Sequence, residues 1–148
     1  MSAERNVRTN IAFCPPQGDG GGWCVTAEFL ERALREAFPG AGVECRVSGI
    51  RSVPVLDFEV QVAPGVWIDG TASMAEPDYA YVALTDVTAD EAAAFGWWLR
   101  DSFVPAPHLV WFASSLAMAN GEQGPWPFPV EGGSEVIAAE LRRHLDSV

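Results

Sequence analysis

Polar and apolar residues alternate most cleanly along Val53–Gly70. Leu56, Phe58, Val60 and Val62 fall on one side, and Val55, Asp57, Glu59 and Gln61 on the other. A period of two marks a β-strand with one dry and one wet face. Ala63-Pro64-Gly65 interrupts the pattern, and Val66-Trp67-Ile68-Asp69 resumes it. This predicts a β-hairpin with a loop of about three residues. With Val66 and Ile68 on the dry face, antiparallel pairing sets Glu59 beside Asp69 and Gln61 beside Trp67.

The remaining elements follow from the same reading. Val7–Phe13 is a modest strand. Thr26–Phe38 has a helical stripe of Leu30, Ala33, Leu34, Ala37 and Phe38, with Glu28–Arg32 and Glu31–Arg35 as i,i+4 pairs on its outer face. Pro39-Gly40 stops it. Val43–Ser48 alternates again, and Cys45 falls on its dry side as a small core residue. Matching dry faces allows Arg46 opposite Asp57 or opposite Glu59, a surface ion pair either way. Gly70–Asp78 reads as a loop, and Tyr79–Thr85 as a further strand. Thr88 and Glu91 form a capping box that opens a helix to about Phe103. Trp97 projects away from the inner stripe of that helix, either under a neighbouring loop or as an exposed anchor.

His108–Ala113 is an apolar strand. Asn120-Gly121 is a turn signal at which that strand could fold back. Gln123–Gly133 is a Pro/Gly loop carrying Trp126 and Phe128. Ser134 caps a last helix, Glu135–Asp146, with Ile137, Leu141 and Leu145 inward. The order is β-α-β-β-β-β-α-β-α. Four strands in succession disfavour a doubly wound parallel fold. The expectation is an α+β, two-layer domain: a mainly antiparallel sheet of about five or six strands with three helices on one face.

Composition narrows the function. The 148 residues suit a single domain, and 49% hydrophobic content supplies a core. Twenty acidic against nine basic residues leave a net charge of −11. That field repels phosphate backbones and attracts a basic protein, so the expected partner is a basic protein and not nucleic acid. No apolar run reaches membrane-spanning length, and MSAERNVRTN has no signal-peptide core, which points to the cytoplasm. Cys14, Cys24 and Cys45 are odd in number and lack C-x-x-C spacing, so no disulfide framework or zinc site is expected.

Candidate chemistry is sparse. Gln17-Gly18-Asp19-Gly20-Gly21-Gly22-Trp23 is glycine-rich but lacks the G-K-[ST] ending of a phosphate loop. Ser114-Ser115 lack a nucleophile-elbow context. His144 falls in the final turn of the last helix, where a cation suits the dipole. No motif calls for a cofactor or metal. Two readings remain. In the first, the wet face carrying Asp57, Glu59, Trp67, Asp69, Tyr79 and Tyr81, with Trp97 elsewhere, binds a basic protein. This profile is similar in kind to immunity proteins, which mask toxins, an analogy of type and not of sequence. In the second, a pocket under the 15–23 and 123–133 loops serves a small hydrolase or small-molecule binder, with Cys14, Cys24 and His108 as its chemistry.

Overall fold

The computed structural model describes residues 7–16, 22–23, 26–48, 53–76, 79–122 and 124–147. The glycine-rich stretch 17–21 and Cys24 lie outside them. The protein is α+β, with a seven-stranded antiparallel sheet in the order β2-β3-β4-β5-β1-β6-β7. The strands are β1 (Thr9–Cys14), β2 (Gly42–Ser48), β3 (Val53–Ala63), β4 (Val66–Glu76), β5 (Tyr79–Val87), β6 (Trp111–Ser114) and β7 (Trp126–Pro127). The helices are α1 (Ala27–Ala37), α2 (Ala89–Trp98), α3 (Ser115–Ala119) and α4 (Ser134–Asp146). The expected α+β architecture is correct, and it holds one more short strand and one more short helix than the pattern predicts.

Alternation sets the faces. Leu56, Phe58, Val60, Ile68, Ala72, Val82, Leu84, Ile11 and Phe13 are buried on the dry side of four neighbouring strands. α1 lays Leu30 and Leu34 on that face, α2 adds Ala92 and Phe95, and Leu99 follows just after α2. α4 packs against α2 through Ile137, Ala138 and Leu141. Phe95 is the centre of the core. Its ring lies 5.7 Å from Phe58, 5.9 Å from Phe38, 6.2 Å from Phe13 and 5.5 Å from Trp98.

Thr26 caps α1 by accepting from the Phe29 N–H, and the Thr88/Glu91 capping box of α2 is fully formed. Just before that box, Asp86 adopts a left-handed φ of 53°. Asn10 Oδ1 accepts its N–H and Arg8 Nη1 donates to its carbonyl, both at 2.8 Å, so the beginning of β1 holds the turn into α2. α2 gives way at Leu99 to a π-turn over Leu99–Phe103, inside the stretch expected to be plain helix. α4 starts at Ser134 with Gly133 as its N-cap, so Ser134 does not cap it.

Several local expectations change. β4 runs on to Glu76, so 70–76 is strand and not the expected loop, and Pro77 and Asp78 lie outside the described residues. Partners on both sides supply the ladder bonds of β4, and Phe58 roofs Gly70. His108 belongs to a 3-10 turn, Pro107–Leu109, and β6 begins only at Trp111. After β6 the chain does not continue as strand to Asn120 but forms α3; Gly121 with φ 85° ends that helix, and the chain returns to pair antiparallel with β6 as β7. The hairpin loop is the two residues Pro64-Gly65, and the third residue is absorbed as a bulge at Val62. Arg35 bridges Glu31 at 3.1 Å, whereas Glu28 and Arg32 form no bridge. Cys45 is exposed and not a core residue, because α1 covers only the beginning of β2.

Two predictions test this core. Phe95→Ala should cost about 3–5 kcal/mol in chemical denaturation, the range for truncating a buried aromatic. At Gly70 an added Cβ would stand 2.3 Å from Phe58 Cζ, so Gly70→Ala should cost about 1–3 kcal/mol. A double-mutant cycle with Phe58→Leu should show the two costs to be sub-additive, since the smaller side chain relieves the clash.

Candidate functional site

β3 and β4 place the predicted acidic residues on one surface. Glu59 pairs directly with Asp69, Gln61 with Trp67 and Asp57 with Thr71. Glu59 and Asp69 are exposed, and Trp67 keeps 46% of its surface accessible. The indole of Trp67 reaches over the sheet end towards Gly40, where an added Cβ would lie 3.7 Å from its ring. Thr85, opposite Asp69 on β5, is exposed as well. The open surface is therefore the hairpin end of the wet face. Its other end is closed: Val55 and Ser73 are buried, and the Ser73 hydroxyl donates to the Pro54 carbonyl at 3.3 Å.

Charge is uneven across this surface. Asp57 has a cation: Arg46 Nε donates to its carboxylate. The contact is diagonal, because Arg46 stands opposite Val55 and Glu44 opposite Asp57, so neither expected register, Arg46 opposite Asp57 or opposite Glu59, is adopted. The bond and the Coulomb field of Asp57 hold the Arg46 guanidinium pKa above its ordinary value. Glu59 and Asp69 have no cation among the described residues. Like charges directly opposite on adjacent strands are mildly destabilising. This pair is thus a small unrelieved repulsion beside an exposed indole.

The other predicted residues separate. Tyr81 pairs with Ser73 on the same face and is partly buried. Tyr79 pairs with Glu76 in backbone register, and its side chain is outside the described residues. Trp97 is 44% exposed, but it projects from α2 on the helix side, next to Gly133, and so does not join the sheet-face residues. Cys14 ends β1 opposite Trp111; burial pushes its thiol pKa up, which disfavours the nucleophilic thiolate. His108 is exposed on its 3-10 turn. Of the aromatic residues of the two loops, Trp23 and Phe128 fill the core, and Trp126 packs partly buried against it. Trp23 is buried and donates to the Leu109 carbonyl at 2.6 Å, and Phe128 stands edge-on to Phe13 at 5.5 Å. A shallow trough of about 460 Å³ does exist, but on the sheet face, floored by Ala12, Ala83 and Ala113. Among the described residues no group of His, Cys, Asp and Glu is arranged to hold a metal.

Two polar groups that the sequence does not announce are central to the C-terminal third. Arg100 is 4% exposed inside the π-turn. It donates to the Pro129 carbonyl at 3.0 Å, to the Gly132 carbonyl at 2.6 Å and to the Asp101 carboxylate. It thereby ties the 124–133 loop to the end of α2, and its bond holds the Asp101 carboxyl below the usual range. Ser114 Oγ lies 2.9 Å from His144 Nε2. The pair has the composition of a nucleophilic dyad but not its access. Ser114 is 1% exposed and its oxygen also caps α3 by accepting from the Ala117 N–H. The imidazole packs between Phe112 at 4.9 Å and Trp126 at 4.6 Å.

Burial lowers the His144 pKa, with Glu122 opposing the shift more weakly, so His144 is not the helix-end cation expected from its position. The unfolded chain takes up this proton first as pH falls. His144 therefore contributes its full stability above about pH 6.5, the unfolded value, and loses it as pH drops from there to the lower folded pKa. His144→Gln should flatten the fall in melting midpoint across that window relative to wild type, as read by circular dichroism.

Compared with known proteins, the chain matches no family model, no curated protein sequence and no solved structure.

Proposed function

We propose that this chain is a non-enzymatic binding protein of the immunity or regulatory kind, acting in the cytoplasm. It masks a basic protein partner with the hairpin end of its sheet face. The observation that carries the reading is the Glu59–Asp69 pair, two exposed carboxylates held side by side without a cation, next to the exposed Trp67. Folding leaves that repulsion in place, and an arginine or lysine from a partner would relieve it. The indole supplies the flat apolar area that anchors such contacts. The overall charge of −11 would speed encounter with a basic surface and lose effect as salt rises.

The test uses the chain as bait in its native lysate, against a Glu59→Arg/Asp69→Arg bait. Basic proteins should be retained by the wild type at low salt and lost from the variant. Equal retention by the two baits would rule the surface out. With a partner in hand, Glu59→Ala/Asp69→Ala should slow association, and Trp67→Ala should speed dissociation. The double alanine variant should keep its stability within about 0.5 kcal/mol or gain slightly, because exposed charges contribute little and the repulsion is removed. A large loss of melting midpoint would mean that these carboxylates serve the fold.

A further inference from the structure

β2 is an edge strand of the sheet, and the direction of its free peptide groups can be worked out. Pro54 stands opposite Val47 and has no N–H, and its carbonyl accepts from Ser73 on the β4 side. The pairs Val47–Pro54, Cys45–Leu56 and Val43–Phe58 are therefore the non-hydrogen-bonded ones of the β2–β3 ladder. The N–H and C=O groups of Val43, Cys45 and Val47 point outward. Agreeing with this, the Val43 carbonyl accepts from Arg35 Nη2 at 3.0 Å, across the edge. Among the described residues nothing bonds the outward groups of Cys45 and Val47.

The sequence of this strand, Gly-Val-Glu-Cys-Arg-Val-Ser, is nearly palindromic about Cys45. We propose that β2 pairs antiparallel with β2 of a second copy of this chain, about a two-fold axis at Cys45, so that two sheets become one. That axis sets Glu44 opposite the second copy's Arg46, and Arg46 opposite its Glu44. It also sets Val43 opposite Val47 and Gly42 opposite Ser48. Side-chain parity is kept, so Val47, 64% exposed in the single chain, gains an apolar neighbour on the helix side. Glu44 has a further reason to accept this partner. It lies opposite Asp57 in its own sheet and has no cation among the described residues.

One existing contact must yield. Arg35 leaves the Val43 carbonyl, where the second copy's Val47 N–H takes over, and can keep its bridge to Glu31. The interface is a single strand wide, which places it among small, reversible contacts and not obligate dimers. It does not depend on what the hairpin end of the face binds.

Sedimentation velocity of the full chain tests the proposal. The mass should rise from 15.9 kDa towards twice that value as concentration increases. The rise should be evident at concentrations on the order of 100 µM. Glu44→Arg alone and Arg46→Glu alone should each weaken association by about tenfold or more, and the exchanged pair Glu44→Arg/Arg46→Glu should recover it to within about threefold. Circular dichroism verifies that each variant is folded. Should Arg46→Glu fail to fold for loss of its contact with Asp57, Glu44→Arg carries the test alone, since it places a cation opposite Asp57. In a Cys14→Ser/Cys24→Ser background, a short bismaleimide should join two chains through Cys45, whose Cα atoms would be about 5.5 Å apart in this pairing. Cross-linking should vanish in either single charge variant and return in the exchanged pair. A wild type that stays monomeric at that concentration, or a dimer indifferent to charge reversal, would overturn the inference.

Discussion

The phenyl ring of Phe95 sets the position of nearly everything else. It touches rings from β1, β3 and the end of α1, and so fixes where α2 lies on the sheet. Gly96 beside it lets Phe128 approach, since a Cβ there would be 2.6 Å from Phe128 Cζ. The last loop and α4 are placed by that approach. The same stack governs the far side of the sheet. Phe58 is held inward between Phe95 and Gly70, and a strand with Phe58 inward must turn Asp57 and Glu59 outward. The carboxylates of the open face are where they are because an aromatic stack on the opposite face leaves no other register.

Much of this is readable in the chain because it depends on period alone. Alternation over β3 and β4 defines the two faces, and a short turn then dictates the Glu59–Asp69 and Gln61–Trp67 neighbours. Period determines parity but not offset. The β2–β3 pairing is therefore two residues from one expected register and four from the other, and the length of the Arg46 side chain still lets it reach Asp57 diagonally. Nor does period reveal coverage. Cys45 and Val47 lie on the helix side, yet α1 is too short to shelter them. Gly70 and Ala72 have little intrinsic claim to a strand, and only their neighbours on both sides make them part of one. The Ser114–His144 contact spans 30 residues with no motif, and Arg100 has no local mark that distinguishes it from a solvent-facing helix residue.

Polar chemistry is divided between the two sides of the molecule. Inside, Trp23, Arg100, Ser114 and His144 each meet a defined partner and fasten a loop or a helix end. A buried guanidinium without its two carbonyls would be costly, so the 124–133 loop and the π-turn stabilise one another. Outside, the hairpin carries carboxylates that the fold leaves unmatched. The satisfied groups account for structure, and the unmatched Glu59 and Asp69 are the groups on which the proposed binding role rests.

The placement of β1 has a consequence for how the chain reaches this state. β1 is first in sequence but fifth in the sheet, between β5 and β6. The β2–β5 meander can form from adjacent segments as they leave the ribosome. β1 can join only after β5 has emerged, and it gains its second neighbour only with β6, about a hundred residues downstream of it. Ile11 and Phe13, both almost fully buried in the end, spend that interval without a sheet to cover them. Central insertion of the first strand makes closure of the sheet a late, long-range event, and high contact order of this kind slows folding.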